Sequence, residues 1–132
     1  MKINVSIDIE EEIRKALSGY MSVYCRPLPA EYSLPHIEVQ MVGGGAEAAI
    51  DTFEVVLDAR AAKEDAALAY ETLQAAIGIL RQTAKEQTTP LRYVSVNTSG
   101  SWGSDPVRPD LELCRARLQV VAHQKEMEVI RK

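Results

Sequence analysis

The stretch from His36 to Gln82 constrains the fold most strongly, because it predicts two strands and a long helix in direct succession. Apolar and polar residues alternate in IEVQM (37–41) and again in FEVVLDAR (53–60). Alternation with a period of two is typical of strands that are buried on one face. Because a glycine-rich segment joins these strands, we expect them to form an antiparallel hairpin.

The joining segment, VGGGAEAAID (42–51), contains Gly43, Gly44 and Gly45 in a row. Glycine adopts positive φ without steric cost, so the segment is expected to be a flexible loop that reverses the chain. A phosphate-binding loop is the alternative interpretation. It is disfavoured because the segment does not lead from a strand into a helix and no Lys-Ser/Thr pair follows it.

The segment after the hairpin predicts a long helix. Its larger apolar residues recur at spacings of three and four, which places them on one stripe of a helix: Ala66, Tyr70, Leu73, Ile77 and Leu80. Interspersed alanines would let this helix lie close to the hairpin. We therefore expect a sheet with one face covered by a long helix.

The flanking segments complete an α+β pattern. Alternation from Ile3 to Ile9 suits a short strand, and Asp8 with Glu11 predicts the capped start of a helix over residues 9–20. The other predicted elements are a short edge strand at 23–26, a strand at 91–98 and a strand at 111–123. The expected fold is α+β, with a mainly antiparallel sheet that carries the long helix and the N-terminal helix on one face.

Two further segments are expected to lack regular structure. Residues 97–110 concentrate glycine, serine, proline and aspartate around Trp102, which predicts a flexible loop. The tail, residues 124–132, is charged and is expected to fray or to extend to a partner. No repeat or composition break divides the chain, so residues 1–132 are expected to form a single domain.

Composition disfavours two classes of partner. The net charge of −4 argues against a protein that binds nucleic acid by neutralising many phosphates. No run approaches the ~20 apolar residues of a membrane span, and the N-terminus lacks the apolar core of a signal peptide. We expect synthesis inside the cell and no membrane association.

Few residues suggest catalysis. His36 and His123 fall at strand ends and could hold a metal with Glu38 if those ends were adjacent, but surface histidines are the favoured interpretation. Cys25 or Cys114 could act as a nucleophile beside a histidine, and Arg26 could lower the pKa of Cys25. Inert packing of both thiols is favoured. We therefore expect no catalytic residue, no metal and no cofactor.

Three arginines invite a binding role. Arg115 and Arg117 project from the polar face of the last predicted strand, and Arg108 lies in the loop before it. They could bind phosphate or an acidic partner. A solvated or salt-bridged sheet face is the favoured alternative.

The order of motifs resembles the tail terminator and head–tail joining proteins of long-tailed bacteriophages, which are also described as tail completion or minor capsid proteins. The motifs are the helix IEEEIRKAL, the strand and turn IEVQMVGGG, the strand FEVVLDAR, the helix KEDAALAYETLQAAIGIL, and an Asp105-Pro106 loop before the strand ELCRARLQVV. The resemblance covers most of the chain. The segment MKINVSID and the tail beyond His123 have no counterpart in that pattern.

The resemblance implies a structural virion protein of the neck or tail, made in the cytoplasm of a bacterial host. Such proteins form rings, usually hexamers, that cap the tail tube protein and join it to the head connector proteins, while DNA passes through the lumen without sequence-specific binding. The expected contacts with neighbouring subunits or partners are Gly43, Gly44, Gly45, Trp102, Asp105, Arg108, Arg115 and Arg117. The alternatives are a small ligand-binding or enzyme domain and a cellular protein-interaction adaptor.

Overall fold

The computed structural model describes residues 1–47 and 49–132, with only the backbone described at Glu47 and at residues 98–101. Its elements, in chain order, are strand β1 (Lys2–Val5), helix α1 (Ile9–Leu17), strands β2 (Ser22–Cys25), β3 (His36–Glu47) and β4 (Ile50–Ala62), a 3₁₀ turn (Lys63–Asp65), helix α2 (Ala66–Glu86), and strands β5 (Leu91–Ser104), β6 (Leu111–His123) and β7 (Lys125–Glu128). The α+β fold is thereby confirmed.

Five of the strands form one sheet in the order β2-β3-β4-β6-β5. Every neighbouring pair is antiparallel except β2 with β3, which run parallel. The predicted hairpin is confirmed as β3 and β4, with Ile37 opposite Ala59 and Met41 opposite Val55. The predicted short edge strand is confirmed as β2.

Both helices pack on the same face of this sheet, and the core lies between them and the sheet. The strands contribute every second residue to this core, most densely in β4 and β6: Phe53, Val55, Leu57, Ala59, Ala61, Cys114, Ala116, Leu118, Val120 and Ala122. The buried side of α2 consists of Ala69, Thr72, Leu73, Ala76, Ile77, Leu80 and Ala84. In the part of the chain that the structure describes, no helix lies on the opposite face of the sheet, which we call the polar face.

The structure corrects the predicted helix stripe at one position. Tyr70 is 41% exposed, although its spacing placed it among the apolar core residues. The reason is that the small residues Ala69 and Ala76 form the side of α2 that approaches the sheet. Tyr70 is thereby turned toward the sheet edge formed by β5, where it contacts Trp102.

The N-terminal helix begins where the sequence predicted. The Asp8 side chain accepts a hydrogen bond from the backbone N–H of Glu11 at 3.2 Å, which caps one of the unpaired amides of the first turn. The helix ends at Leu17, earlier than the predicted residue 20, because the amides of Tyr20 and Met21 both turn back to the Leu17 carbonyl. Ile7 and Ile9 pack in the core, so the strand before the helix is shorter than the alternation suggested.

The predicted flexible loop at 42–51 is wrong in its extent, because β3 continues to Glu47 and β4 begins at Ile50. Only Ala48 and Ala49 are left between the two strands, and Ala48 lies outside the described residues. The glycines remain in the ladder because β4 offers backbone partners along its whole length, and pairing satisfies amide and carbonyl groups that a loop would leave to water. The pairing register of β3 with β4 shifts between Met41 and Gly43.

The predicted loop at 97–110 is likewise too long. Strand β5 continues to Ser104, and the register with β6 shifts after Val96 and again after Ser99. Such irregularities let a glycine- and serine-rich strand stay paired while it bends. The irregular part is confined to residues 105–110.

The tail was expected to fray or to extend to a partner, but part of it pairs with the chain's own N-terminal strand. Strands β1 and β7 form a separate antiparallel ribbon with Lys2 opposite Glu128 and Val5 opposite Lys125. The N-terminal amine also binds the Glu128 carboxylate at 2.9 Å. The charged sequence therefore forms a strand because a backbone partner is close, although almost every residue of the ribbon is exposed.

Candidate functional site

The structure distributes the eight residues expected to form contacts over three separate places. Asp105, Arg108 and Arg115 lie together at one end of the polar face, while Arg117 lies further along that face, 3.8 Å from the exposed carboxylate of Glu54. Trp102 lies on the other side of the sheet, against α2. Gly43, Gly44 and Gly45 line a groove at the far end of β3.

The first place is built around a buried arginine. The Arg60 Nε atom donates to Asp105 Oδ2 at 2.6 Å, and its Nη1 atom donates to Glu38 Oε1 at 2.9 Å. Asp58 lies 3.8 Å from Arg60 Nη2 and accepts two hydrogen bonds from Arg115, at 2.7 and 3.0 Å. We call Glu38, Asp58, Arg60, Asp105 and Arg115 the ionic cluster.

The strand register explains why these charges meet. Glu38, Asp58 and Arg115 lie opposite one another on β3, β4 and β6, and all three point to the polar face. Arg60 follows Asp58 by two residues, so its side chain points to the same face. The loop at 105–110 then covers this end of the face, which leaves Asp58, Arg60 and Asp105 almost fully buried.

The charges of the ionic cluster stabilise one another. Burial alone would lower the pKa of Arg60, but the hydrogen bonds to Asp105 and Glu38 outweigh it and raise the pKa. Burial would raise the pKa of Asp105, yet the hydrogen bonds from Arg60 and from two backbone amides lower it. Arg60 and Asp105 therefore stay ionised at neutral pH. The cluster as a whole contains two arginines and three carboxyl side chains.

Asp105 also determines the shape of the loop that follows it. Its Oδ1 atom accepts from the backbone N–H of Val107 at 2.9 Å and of Arg108 at 3.2 Å. The Asp105 carboxylate thus binds two backbone amides of its own loop through Oδ1, and it binds Arg60 on β4 through Oδ2. Arg108 then lies 5.8 Å from the ring centre of Tyr32, which is the distance of a cation–π contact.

His36 lies beside the ionic cluster and is completely buried. Its Nδ1 atom is 2.8 Å from the Ser33 carbonyl and its Nε2 atom is 3.4 Å from Arg60 Nη1, so the neutral ring donates from Nδ1 and accepts at Nε2. Burial, together with the nearby positive charge of Arg60, lowers the pKa of His36 despite the opposing hydrogen bond to Ser33. Tyr24 and Tyr32 contact the ring edge-on.

The alternative prediction, a metal site held by both histidines, is wrong. His36 lies opposite Arg60, whereas His123 lies opposite Ile50, at the other end of β4. Ten residues of extended strand span about 33 Å, so the two rings cannot share an ion. Among residues 1–47 and 49–132, no three potential ligands of histidine, cysteine, aspartate or glutamate gather in a metal-binding arrangement.

Both cysteines are free, and each has a raised pKa. Burial raises the pKa of both, and for Cys25 the nearby carboxylates of Glu10 and Glu11 add to that effect. The expectation that Arg26 could lower the pKa of Cys25 is therefore wrong. At neutral pH both side chains are thiols, which are weak nucleophiles.

The second place is a pair of stacked aromatic rings at the sheet edge. The rings of Tyr70 on α2 and Trp102 on β5 lie 5.3 Å apart with an angle of 20° between their planes. They are 41% and 48% exposed. Strand β5 is the last strand of the sheet, so the pair lies beside an edge whose outer backbone groups face no described strand.

The third place is the groove beside the three glycines, which we call the glycine groove. It encloses about 530 Å³ between Ile7, Met41, Gly44, Asp51 and Phe53. Among the described residues of its lining, Asp51 alone is charged. The lining is mostly apolar and includes Ser6 and Ile7, which directly follow β1.

Sequence reasoning missed the centre of the ionic cluster. The alternation in FEVVLDAR predicted a strand buried on one face, with its polar residues on the other face, but the structure also buries Asp58 and Arg60. A signal was present, because Asp58 and Arg60 carry opposite charges at alternate positions of one strand and Glu38 lies in the neighbouring strand. The loop that brings Asp105 to Arg60 could not be placed from sequence.

The sequence matches no protein-family model, and no curated protein matches it significantly. Neither of the two described helices has both the length and the apolar character needed to cross a membrane.

Proposed function

We propose that the chain is a structural subunit of a phage neck or tail, which forms a ring that terminates the tail tube and joins it to the head connector. The proposal rests on the resemblance of its motifs to that class of proteins and on one structural observation. That observation is the open edge at β5, a fourteen-residue strand beside which the half-exposed Tyr70–Trp102 pair lies.

An open edge favours association because its backbone amides and carbonyls can pair with another chain. The two edges of this sheet differ, since β2 has four residues and β5 has fourteen. When a contact joins two unlike surfaces of neighbouring copies, one of the two surfaces stays unused at each end of the assembly. Further copies can therefore add until the ring closes. The shape of the sheet therefore suits a ring better than an isolated pair.

The aromatic pair supplies the apolar part of such a contact. Tryptophan and tyrosine are the residues most often found to dominate interface energies, because they bury large areas with few rotatable bonds. Both rings are held in place by stacking before any partner arrives, which lowers the entropy lost on binding. Placed at the edge, they would pack on a neighbour while β5 provides backbone hydrogen bonds.

The ionic cluster fits a structural role. Each of its charged side chains lies within 4 Å of a member of opposite charge, so the arginines are held by the chain's own carboxylates. Such a network fixes the loop at 105–110 on the sheet and keeps this end of the subunit rigid. A rigid subunit suits a ring that has to match both a tube and a connector.

The test is native mass measured over a range of protein concentrations, with negative-stain images at the highest concentration. Rings of about six subunits with a central hole are expected. A stable dimer at every concentration would contradict the ring and favour the adaptor alternative. If the chain stays monomeric, purified tail tubes are added, and failure to cap them would reject the proposal.

Replacing Trp102 with alanine tests the contact itself. We expect assembly to weaken by about 30-fold, which corresponds to the ~2 kcal/mol of an interface hot spot, while the melting temperature of the monomer changes little. Tyr20→Ala is the matched control, because Tyr20 is 74% exposed at the end of α1. Equal effects of the two substitutions would refute the role given to Trp102.

A further inference from the structure

The edge of the sheet at β5 carries a second feature, at the end opposite Trp102. A groove of about 480 Å³ lies there between the end of α2 and the first residues of β5. We call it the basic groove, and its lining consists of Arg81, Ala84, Lys85, Gln87, Arg92, Tyr93, Val94 and Ser95. None of the described residues that line it is acidic, although the whole chain has a net charge of −4.

The three cations of the basic groove are not neutralised by the described carboxylates. None of those carboxylates lies within 4 Å of Arg81, Lys85 or Arg92. Glu86 is next to Lys85 in the chain, but its carboxylate accepts a hydrogen bond from Gln82 at 3.2 Å. Like charges that line one groove repel one another, so an anionic ligand would stabilise them.

The helix dipole explains only one of these cations. Lys85 lies in the last turn of α2, where the partial negative charge of the helix C-terminus attracts cations. Arg81 lies one turn earlier, and Arg92 belongs to β5. The Nη1 atom of Arg92 donates to the carbonyls of Thr89 and Leu91, which fixes its guanidinium beside the groove. The position of the two arginines therefore needs another explanation.

An open strand edge borders the basic groove and indicates the class of ligand. Strand β5 is the last of its sheet, and the outward backbone groups of residues 92–95 have no backbone partner among the described residues. Amides and carbonyls alternate along such an edge, and a polypeptide strand pairs with both. The phosphates of a nucleic acid would accept from the amides but could not donate to the carbonyls. The edge therefore favours a polypeptide ligand.

The spacing of the cations fits side chains of an added strand. Arg81 and Lys85 are one turn apart, about 6 Å along α2. Alternate residues of an extended strand point to the same face and are about 6.6 Å apart. A strand that pairs with β5 could thus place two carboxylates, at alternate positions, beside these two cations.

We infer that the basic groove binds an acidic, extended segment of another protein, which adds as a strand to β5 and places carboxylates at alternate positions beside Arg81 and Lys85. This inference goes beyond the proposed ring, in which copies of the chain meet at the Tyr70–Trp102 pair. Eight residues of strand, about 26 Å, separate Val94 in the groove from Trp102. The two contacts therefore use different parts of one edge.

Two synthetic peptides test the charge of the ligand. Labelled TETETET, blocked at both ends, carries carboxylates at alternate positions, and TQTQTQT is its uncharged match. In fluorescence anisotropy with the full chain, the acidic peptide should bind saturably and about 10-fold more tightly than its match. Failure of the acidic peptide to bind, or equal binding of the two peptides, would overturn the inference.

Methylated versions of TETETET test the strand pairing. One version carries methyl groups on the backbone nitrogens of its threonines and the other on those of its glutamates, so each has one blocked edge. At least one version should lose binding, because a methylated nitrogen cannot donate to a β5 carbonyl. If both bind as tightly as the unmodified peptide, no strand is added and the inference is wrong.

A double variant tests the location of the site. Arg81→Gln with Lys85→Gln changes two exposed residues and should weaken binding of TETETET by about 10-fold, since each exposed charge pair contributes up to about fivefold. Arg26→Gln with Lys63→Gln is the matched control. It also removes one exposed arginine and one exposed lysine, but from the end of β2 and from the turn before α2. Equal losses for the two double variants would reduce the effect to overall charge and reject the site.

Two further measurements separate this inference from its competitors. If single-stranded oligothymidylate or a DNA duplex binds more tightly than TETETET and loses affinity in the Arg81 and Lys85 double variant, the groove is a phosphate site and the inference is overturned. Native mass of the same variant checks the proposed function independently. Rings that still form after peptide binding is lost support two separate contacts, whereas peptide binding without any ring supports the groove and counts against the ring.

Discussion

Replacing Arg60 with methionine should destabilise the folded chain by about 4 kcal/mol. The Arg60 side chain is 7% exposed and holds the carboxylates of Glu38 and Asp105 at hydrogen-bond distance, with Asp58 close by. Methionine fills a similar volume without the charge, so it leaves these buried carboxylates with less compensation. Removal of one partner from a buried ion pair costs roughly 3–5 kcal/mol, and several partners are affected here.

Arg117→Met is the control, because Arg117 lies on the same face of the sheet, on β6, but its side chain is 50% exposed and pairs with the 48% exposed Glu54 at 3.8 Å. Water can replace that contact on both sides, so we expect a loss of about 1 kcal/mol or less. In urea titrations with a slope of about 2 kcal/mol per molar, the midpoint should fall by about 2 M for Arg60→Met and about 0.5 M for the control. Circular dichroism is a suitable signal.

The double variant Arg60→Met with Asp105→Asn separates charge from packing. If uncompensated charge causes the loss, removing one of the carboxylates should restore part of the stability. The double variant should then lose less free energy of unfolding than the two single variants lose together. Additive effects, or equal losses for Arg60→Met and Arg117→Met, would refute the argument that buried charge compensation holds this end of the sheet together.

Two further predictions concern His36 and the glycines. The pKa of His36 is lower in the folded chain than in the unfolded chain, where it is about 6.5. Below that pH the unfolded chain therefore binds more protons, so stability is full above it and declines as the pH falls through it. His36→Gln should remove this part of the decline, at most about 1.4 kcal/mol per pH unit, in urea titrations between pH 5 and 7; an unchanged slope would contradict it. Gly44→Ala should lower the free energy of unfolding by about 1–3 kcal/mol, because its Cβ would meet the Thr52 carbonyl, whereas Gly45→Ala, with open space around it, should have no such cost. Equal thermal stability of the two alanine variants would refute the steric argument.

The elements with strong periodicity were predictable from sequence. Alternation correctly predicted that the segments of β3, β4 and β6 are strands. The spacing of Leu73, Ile77 and Leu80 identified the buried side of α2. These patterns work because each residue's burial depends mainly on the local geometry of its own strand or helix. The Asp8 cap was predictable for the same reason, since its partner lies three residues away.

The failures share a different cause. Glycine- and serine-rich segments have low intrinsic strand preference, so 42–47 and 97–104 were expected to be loops, but long partner strands offered them a complete ladder of hydrogen bonds. The burial of Asp58 and Arg60 depends on a loop that arrives from more than forty residues away. Of the expected contact residues, the sequence could name Asp105 and Arg115 but could not pair them with these partners.

The ribbon that joins β1 to β7 has a consequence for the order in which the chain folds. It pairs residues at opposite ends of the sequence, with Met1 bound to Glu128, 127 residues away. Before the sheet exists, closing a loop of that length would cost far more entropy than a few exposed backbone hydrogen bonds return. The ribbon must therefore close last, after the sheet has brought its two ends together, and it opens first when the chain unfolds.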